Sequence, residues 1–155
     1  MGHDLELAIN KISFRMRLLR AMQEDNAYTD GLTERDIMIL DLLNERGKMT
    51  VSEISSAGLN VSDSTISVNV SKLWREKQMV SKTISPENQR TTIVELTDKG
   101  RKAVETYRRQ HAERFKTLFQ AINVTDDEQG VLMQVLSRAI QYFDEYLGLN
   151  RANKK

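Results

Sequence analysis

Cysteine is missing from this chain, which removes disulfide staples, thiolate metal sites, thiol nucleophiles and thiol-based redox sensing together. Imidazoles are scarce, with only His3 and His111. No Ser-His-Asp arrangement, paired catalytic carboxylates or glycine-rich phosphate loop accompanies them, so no catalytic residues are expected and the chain does not read as an enzyme. No apolar run approaches the roughly 20 residues that a membrane span needs. Residues 1–10 mix acids with apolar side chains where a secretory signal would place a basic and then a hydrophobic stretch. Glu6 stands where a myristoylation signal requires Ser or Thr. The expectation is a cytoplasmic protein with no membrane partner. Bulk charge is also missing: 23 Lys and Arg oppose 22 Asp and Glu, for a net +1. Any nucleic-acid surface must therefore come from local segregation of charge.

What remains is enough to fold. At 155 residues, with 39% hydrophobic and 29% charged side chains, the chain fits one compact core with helical extensions. Leu5, Ile9, Ile12, Met16, Leu19 and Met22 recur at spacings of three and four, which predicts a long amphipathic N-terminal helix. Asp30-Gly31 marks a turn. Thr33 then opens a helix with Ile37, Leu40 and Leu43 on its inner face, and Gly47 closes it. Thr50 and Glu53 form a capping box before a short helix around Ile54 that Gly58 ends. Ser62 caps a third helix whose apolar positions are Ile66, Val70 and Leu73. Three short helices in succession predict a helix-turn-helix.

Two β-favouring stretches, Met79 to Ser85 and Thr91 to Leu96, flank the polar segment Pro86 to Arg90 and predict a hairpin with a wide tip. Pro86, the single proline, falls where a strand should give way to a loop. Thr97 caps a further helix carrying Val104, Tyr107, His111, Phe115, Leu118 and Ile122. Thr125 and Glu128 box the start of another, with Leu132, Val135, Leu136, Ala139, Ile140, Phe143 and Leu147. These helices and the first carry more apolar face than the central module can cover, which points to a second copy of the chain as partner.

At about 100° per residue, the buried side of the third helix turns Ser64, Thr65, Val68, Ser71, Lys72 and Arg75 outward, with Asn69 on the flank. Short hydroxyl side chains bring a backbone close to base edges, Val68 suits a thymine methyl, Lys72 suits phosphate and Asn69 suits adenine. Hydroxyls discriminate bases poorly, so this face alone leaves a merely solvated helix open. The hairpin tip adds Asn88, Gln89 and Arg90, the last being the residue type inserted into narrow minor grooves. Between Ser64 and Arg101 seven basic residues, Lys82 among them, oppose four acidic ones, a local +3. The candidate DNA-contacting set is thus Ser62, Ser64, Thr65, Val68, Asn69, Lys72 and Arg75 on the helix, and Lys82, Asn88, Gln89 and Arg90 on the hairpin.

These residues carry a resemblance. The stretch from Leu32-Thr33 to Gly100-Arg101 resembles the winged helix-turn-helix of the MarR family of bacterial transcription regulators. The matching features are Val51-Ser52-Glu53-Ile54, Ser64-Thr65-Ile66-Ser67, and Ser85-Pro86-Glu87-Asn88-Gln89-Arg90 running into Val94-Glu95-Leu96-Thr97-Asp98-Lys99-Gly100. The resemblance implies a mainly α fold with a small β-hairpin wing. It implies an N-terminal dimerisation helix over 1–28, a DNA-binding domain over 32–100, C-terminal dimerisation helices over 101–150 and a flexible tail over 151–155. It further implies a homodimeric repressor of a pseudo-palindromic operator in double-stranded DNA, relieved by a small-molecule effector. Met16, Arg17, Tyr28 and Met38 are candidate linings for such a molecule, but each is as readily core or surface, so no effector site is assigned. Two positions depart from the family pattern. Asn88 replaces the usual Asp of the wing's Asp-x-Arg, and Gln78 stands where a glycine usually precedes the apolar pair Met79-Val80.

Other chemistry is less well supported. His111 has no second His or Cys at ligand spacing and reads as a hydrogen-bonded interface residue; no metal is expected. Asp126, Asp127 and Glu128 are explained by the helix dipole and the capping box. Trp74 is expected to pack between helix and wing. No cofactor is implied. The alternative function is a winged-helix module used for protein contacts alone, without DNA binding.

Overall fold

The computed structural model describes residues 2–24, 31–59 and 61–148, and the chain divides into two compact units, Met1–Glu34 and Arg35–Lys155. Tyr28, Asp30 and the basic tail 151–155 lie outside the described residues. Helix α1 (Gly2–Glu24) dominates the first unit. Its apolar positions Leu5, Ile9, Ile12, Leu19 and Met22 are exposed and Met16 is half-buried.

The second unit is built from α2 (Glu34–Arg46), β1 (Met49–Thr50), α3 (Val51–Ile54), α4 (Asp63–Arg75), β2 (Val80–Ile84), β3 (Thr92–Leu96), α5 (Asp98–Ala121) and α6 (Asp126–Tyr146). Local capping chemistry sets most of these boundaries. The side chains of Thr50, Ser62, Thr97 and Thr125 each accept the backbone N–H three residues on, at α3, α4, α5 and α6 respectively. At Thr50 and Thr125 the glutamate returns the bond, completing both boxes. Each such cap is worth about 1 kcal/mol. Gly47 ends α2 with φ +76°, and its N–H donates to the Leu43 carbonyl at 2.9 Å. The short helix does not stop as expected: α3 runs on through one wider, π-helical turn, Ser55–Leu59.

Ile39, Leu40 and Leu43 of α2, Ile54 of α3 and Ile66, Val70 and Leu73 of α4 pack with Met49, Met79, Val80, Val94, Leu96 and Val104 in one core. Burying each of the larger side chains contributes roughly 1.5–3 kcal/mol. The inner face of α2 differs from the expected one. Asp36 and Ile39 are buried beside Leu40 and Leu43, while Ile37 is only half-buried. The Asp36 carboxylate is held there by side chains of α4.

The sheet is antiparallel in the order β1-β3-β2. Met49 pairs with Val94, and Val80 to Ile84 pair with Leu96 to Thr92. Strand β1 is an addition to the expected hairpin and covers one edge of β3. The exit from α4 turns through Gln78, whose φ of +57° is the left-handed conformation that glycine adopts more cheaply. Thr97 then ties three elements together. Its N–H donates to the Met79 carbonyl at 3.0 Å, its hydroxyl donates to the Gln78 carbonyl at 2.8 Å, and its oxygen caps Gly100 N at 3.1 Å.

Along α5, burial is confined to Gly100 and Val104. Phe115, Leu118 and Ile122 are exposed, and Ile122 serves as the C-terminal cap rather than as part of the helix. Helix α6 buries none of its residues, although Leu132, Val135, Leu136, Ile140 and Phe143 form the expected stripe. Arg108 of α5 reaches Asp41 at 2.9 Å and Glu45 at 3.2 Å on α2.

Candidate nucleic-acid interface

Helix α4 presents its outward face as its apolar spacing requires. Ile66, Val70 and Leu73 are buried, whereas Ser62, Ser64, Val68 and Arg75 are exposed, Val68 to 72%. An aliphatic side chain this open on a folded core adds nothing to stability and leaves its methyls available for contact. The hydroxyls at the start of the helix form a small cluster. Ser62 Oγ lies 2.8 Å from Ser64 Oγ and 3.0 Å from Thr65 Oγ1, and Ser62 also accepts from Thr65 N at 3.3 Å. Ser55 bonds to Asp63 in the first turn, fastening the π-helical turn to α4.

Asn69 and Lys72 sit differently from the open residues. Both are half-buried and both turn toward α2. Asn69 Nδ2 donates to Asp36 Oδ1 at 2.8 Å, and Lys72 Nζ pairs with Asp36 Oδ2 at 2.8 Å. Asp36 itself is fully buried. It is the participant that the sequence did not disclose, because an acid is normally solvated and its partners lie on another helix.

The wing lies along α4. Lys82 on β2 brings its ammonium 5.2 Å from the Trp74 ring centre and 3.5 Å from Ser71 Oγ, while the Arg75 guanidinium lies 5.3 Å from the same ring. Trp74 thus stands between helix and wing, as expected, but with a partly open ring flanked by two cations. At the tip, Asn88, Gln89 and Arg90 are all exposed. Asn88 Oδ1 accepts from Arg90 N at 3.0 Å, and the Asn88 carbonyl accepts from Thr91 N at 2.8 Å. The amide therefore supplies the backbone bond that an aspartate would make there, so the departure from Asp-x-Arg leaves the turn closed.

His111 is half-buried with its ring 4.3 Å from Tyr107. Among the described residues, no three His, Cys, Asp or Glu side chains are grouped so as to hold a metal ion, and no helix is long and apolar enough to cross a membrane.

A three-helix core with its third helix open to solvent, backed by a three-stranded sheet whose hairpin projects beside that helix, is the geometry of a winged-helix DNA-binding module. Residues 36–114 match the family described as the winged helix DNA-binding domain, and the chain belongs to it. Over 108 residues it is 31% identical to the HTH-type transcriptional regulator YdgJ of Bacillus subtilis, covering 70% of this chain and 63% of YdgJ. The fold is that of the MarR-family regulators. A MarR family protein from Bacillus stearothermophilus superposes with a TM-score of 0.74 at 19% identity, covering 90% of this chain and 93% of that one. FabT of Streptococcus pneumoniae, solved in complex with DNA, gives 0.70 at 17% identity, covering 94% and 99%. The chain thus carries a winged-helix DNA-binding module with the MarR-type fold, and the relatives it matches are named as HTH-type transcriptional regulators.

Proposed function

We propose that the protein is a homodimeric repressor. The module over 32–100 reads a pseudo-palindromic operator, and the segments 1–28 and 101–150, which carry α1, α5 and α6, join two copies. Each α4 enters a major groove with Ser62, Ser64, Thr65 and Val68 toward the base edges, and each wing sets Arg90, flanked by Asn88 and Gln89, over the adjoining minor groove. Arg75 and Lys82, both within about 5 Å of the Trp74 ring centre, face the phosphates. Asn69 and Lys72 reach the duplex from the flank, already tied to Asp36.

The observation that carries this reading is the joint exposure of the α4 face and the Asn88–Arg90 tip on one module whose strand β2 is fastened to α4 through Lys82. The exposed apolar faces of α5 and α6 favour pairing of two copies, since contiguous apolar surface of this extent is normally covered. Repression by occupancy is the simplest action for such a dimer. Relief by a small-molecule effector belongs to the same proposal, with no residues assigned to it.

The test is Arg90→Ala measured against a duplex selected by the native protein from a random library. Binding weakens about tenfold or more, and the log-log salt slope falls by roughly 0.9 per protomer, with the melting temperature unchanged. Unchanged affinity removes the wing from recognition. Native protein that binds no duplex in a salt-sensitive way leaves a module for protein contacts instead.

A further inference from the structure

We infer that Trp74 is a positioning residue for DNA binding: its ring gathers Lys82 of the wing and Arg75 of α4 into one phosphate-binding site at the seam of the two elements, without cancelling the charge of either. This rests on the reading of α4 and the wing proposed above, and adds a neutral holder to the two cations named there. The Lys82 ammonium lies over the Trp74 ring, 5.2 Å from its centre, and the Arg75 guanidinium lies over it at 5.3 Å. The two charges are therefore within about 11 Å of one another, close to the distance over which 0.1 M salt screens them.

The backbone places all three side chains. Trp74 follows the buried Leu73 on α4 and keeps 40% of its surface open, so the indole is not filling the core. Val80, Lys82 and Ile84 alternate onto one face of β2. Val80 is buried, and Lys82 on the same face reaches Trp74 and Ser71 of α4. Among the described residues, neither Lys82 nor Arg75 forms an ion pair with a carboxylate.

A carboxylate holds a cation by cancelling it. An aromatic ring holds it through the negative face of its π-system and leaves the full charge available to phosphate. Two like charges this close repel each other, and a long side chain loses rotamer freedom when a phosphate fixes it. The ring opposes both effects before the duplex arrives. It also leaves donors over: Lys82 Nζ has three N–H groups, of which Ser71 Oγ at 3.5 Å takes one, and the Arg75 guanidinium has five.

Trp74 is the single tryptophan of the chain, so growth on fluorinated tryptophan alters this ring alone. Each added fluorine drains the negative face of the ring at nearly constant shape. Full-length protein carrying tryptophan with zero to four fluorines is titrated with the duplex selected by the native protein. Affinity is expected to fall stepwise along the series, about threefold to tenfold in all, and to stay level along the same series in Arg75→Gln/Lys82→Gln. A level series in the native background overturns the inference. So does an equal fall in both backgrounds, which makes the ring a direct duplex contact. The double variant also separates the inference from the reading beneath it. Arg75→Gln/Lys82→Gln is expected to lower the log-log salt slope by roughly 1.8 per protomer. An unchanged slope means that these cations meet no phosphate, and both fall together; a lowered slope with a level fluorine series in the native background overturns the inference alone. If the heavily fluorinated chain fails to fold, Trp74→Phe and Trp74→Leu decide. Both remove the indole and phenylalanine alone keeps a π face, so Trp74→Phe is expected to bind several-fold more tightly than Trp74→Leu; equal affinities overturn the inference.

Discussion

Gly100 lies against the carbonyl oxygen of Met79 so closely that a β-carbon at residue 100 would overlap it and also press on Leu96 Cδ2. That oxygen accepts the Thr97 N–H at 3.0 Å, so it cannot retreat without giving up a bond. The first turn of α5 is therefore seated directly on the backbone that leads into the wing. Gly100→Ala is expected to destabilise the fold by about 3 kcal/mol, the upper end for overpacking against an unyielding neighbour. For a chain of this size that lowers the melting temperature by roughly 10 °C. Thermal unfolding followed by circular dichroism checks it, and a shift under about 2 °C would show that α5 can slide.

Gln78 invites the opposite substitution. Its φ of +57° puts a β-carbon in the left-handed region, a conformation costing roughly 1 kcal/mol more than it does for glycine. Its side chain is exposed, so little packing is lost on removal. Gln78→Gly is expected to stabilise the protein by about 0.5–1 kcal/mol. Urea denaturation at constant m-value reads the gain directly; a loss of stability would mean that the glutamine stem is held by contacts worth more than the strain.

The start of α6 carries a pH dependence. The Glu128 carboxyl is held below its ordinary value of 4.5 by the Thr125 backbone N–H first and the Thr125 hydroxyl second, against a small opposing effect of desolvation. A depressed folded-state value means that the carboxylate's contribution is complete above the unfolded value and is lost as pH falls through the folded one. The box at α6 is thus intact at neutral pH and loosens only in acid below 4.5. A carboxyl-detected NMR titration should place the Glu128 midpoint under 4.5, and Thr125→Ala should move it upward. A midpoint unmoved by that substitution, which keeps the backbone N–H, would remove the Thr125 hydroxyl as a cause.

What the sequence disclosed depended on how far apart the interacting residues lie. The caps at Thr50, Ser62, Thr97 and Thr125 are decided within three residues, and all four were legible. The buried row of α4 followed from the helical period, and with it the exposure of Ser64 and Val68. Strand β1 was not legible, because Met49 and Thr50 are too few for any periodicity and form a strand only by pairing with Val94 and Ile93. Asp36 was illegible for a related reason. Its partners lie 33 and 36 residues away, and before the fold brings them together an acid next to Ile37 reads as solvated surface. The same distance hid the state of Asn69 and Lys72: their positions on α4 were read from the period, their engagement with α2 was not. At the wing tip Asn88 departs from the family's usual Asp, yet the bond that closes the turn needs only an oxygen, which an amide also has.

Thr97, bonded at once to Gln78, Met79 and Gly100, acts as a pivot pin without play. The 24 residues of α5 form a lever roughly 36 Å long, and its near end is pinned to the points where α4 ends and the hairpin begins. A sideways load at the far end of that lever would bear on the junction of helix and hairpin, where the Thr97 bonds and the Gly100–Met79 contact share it.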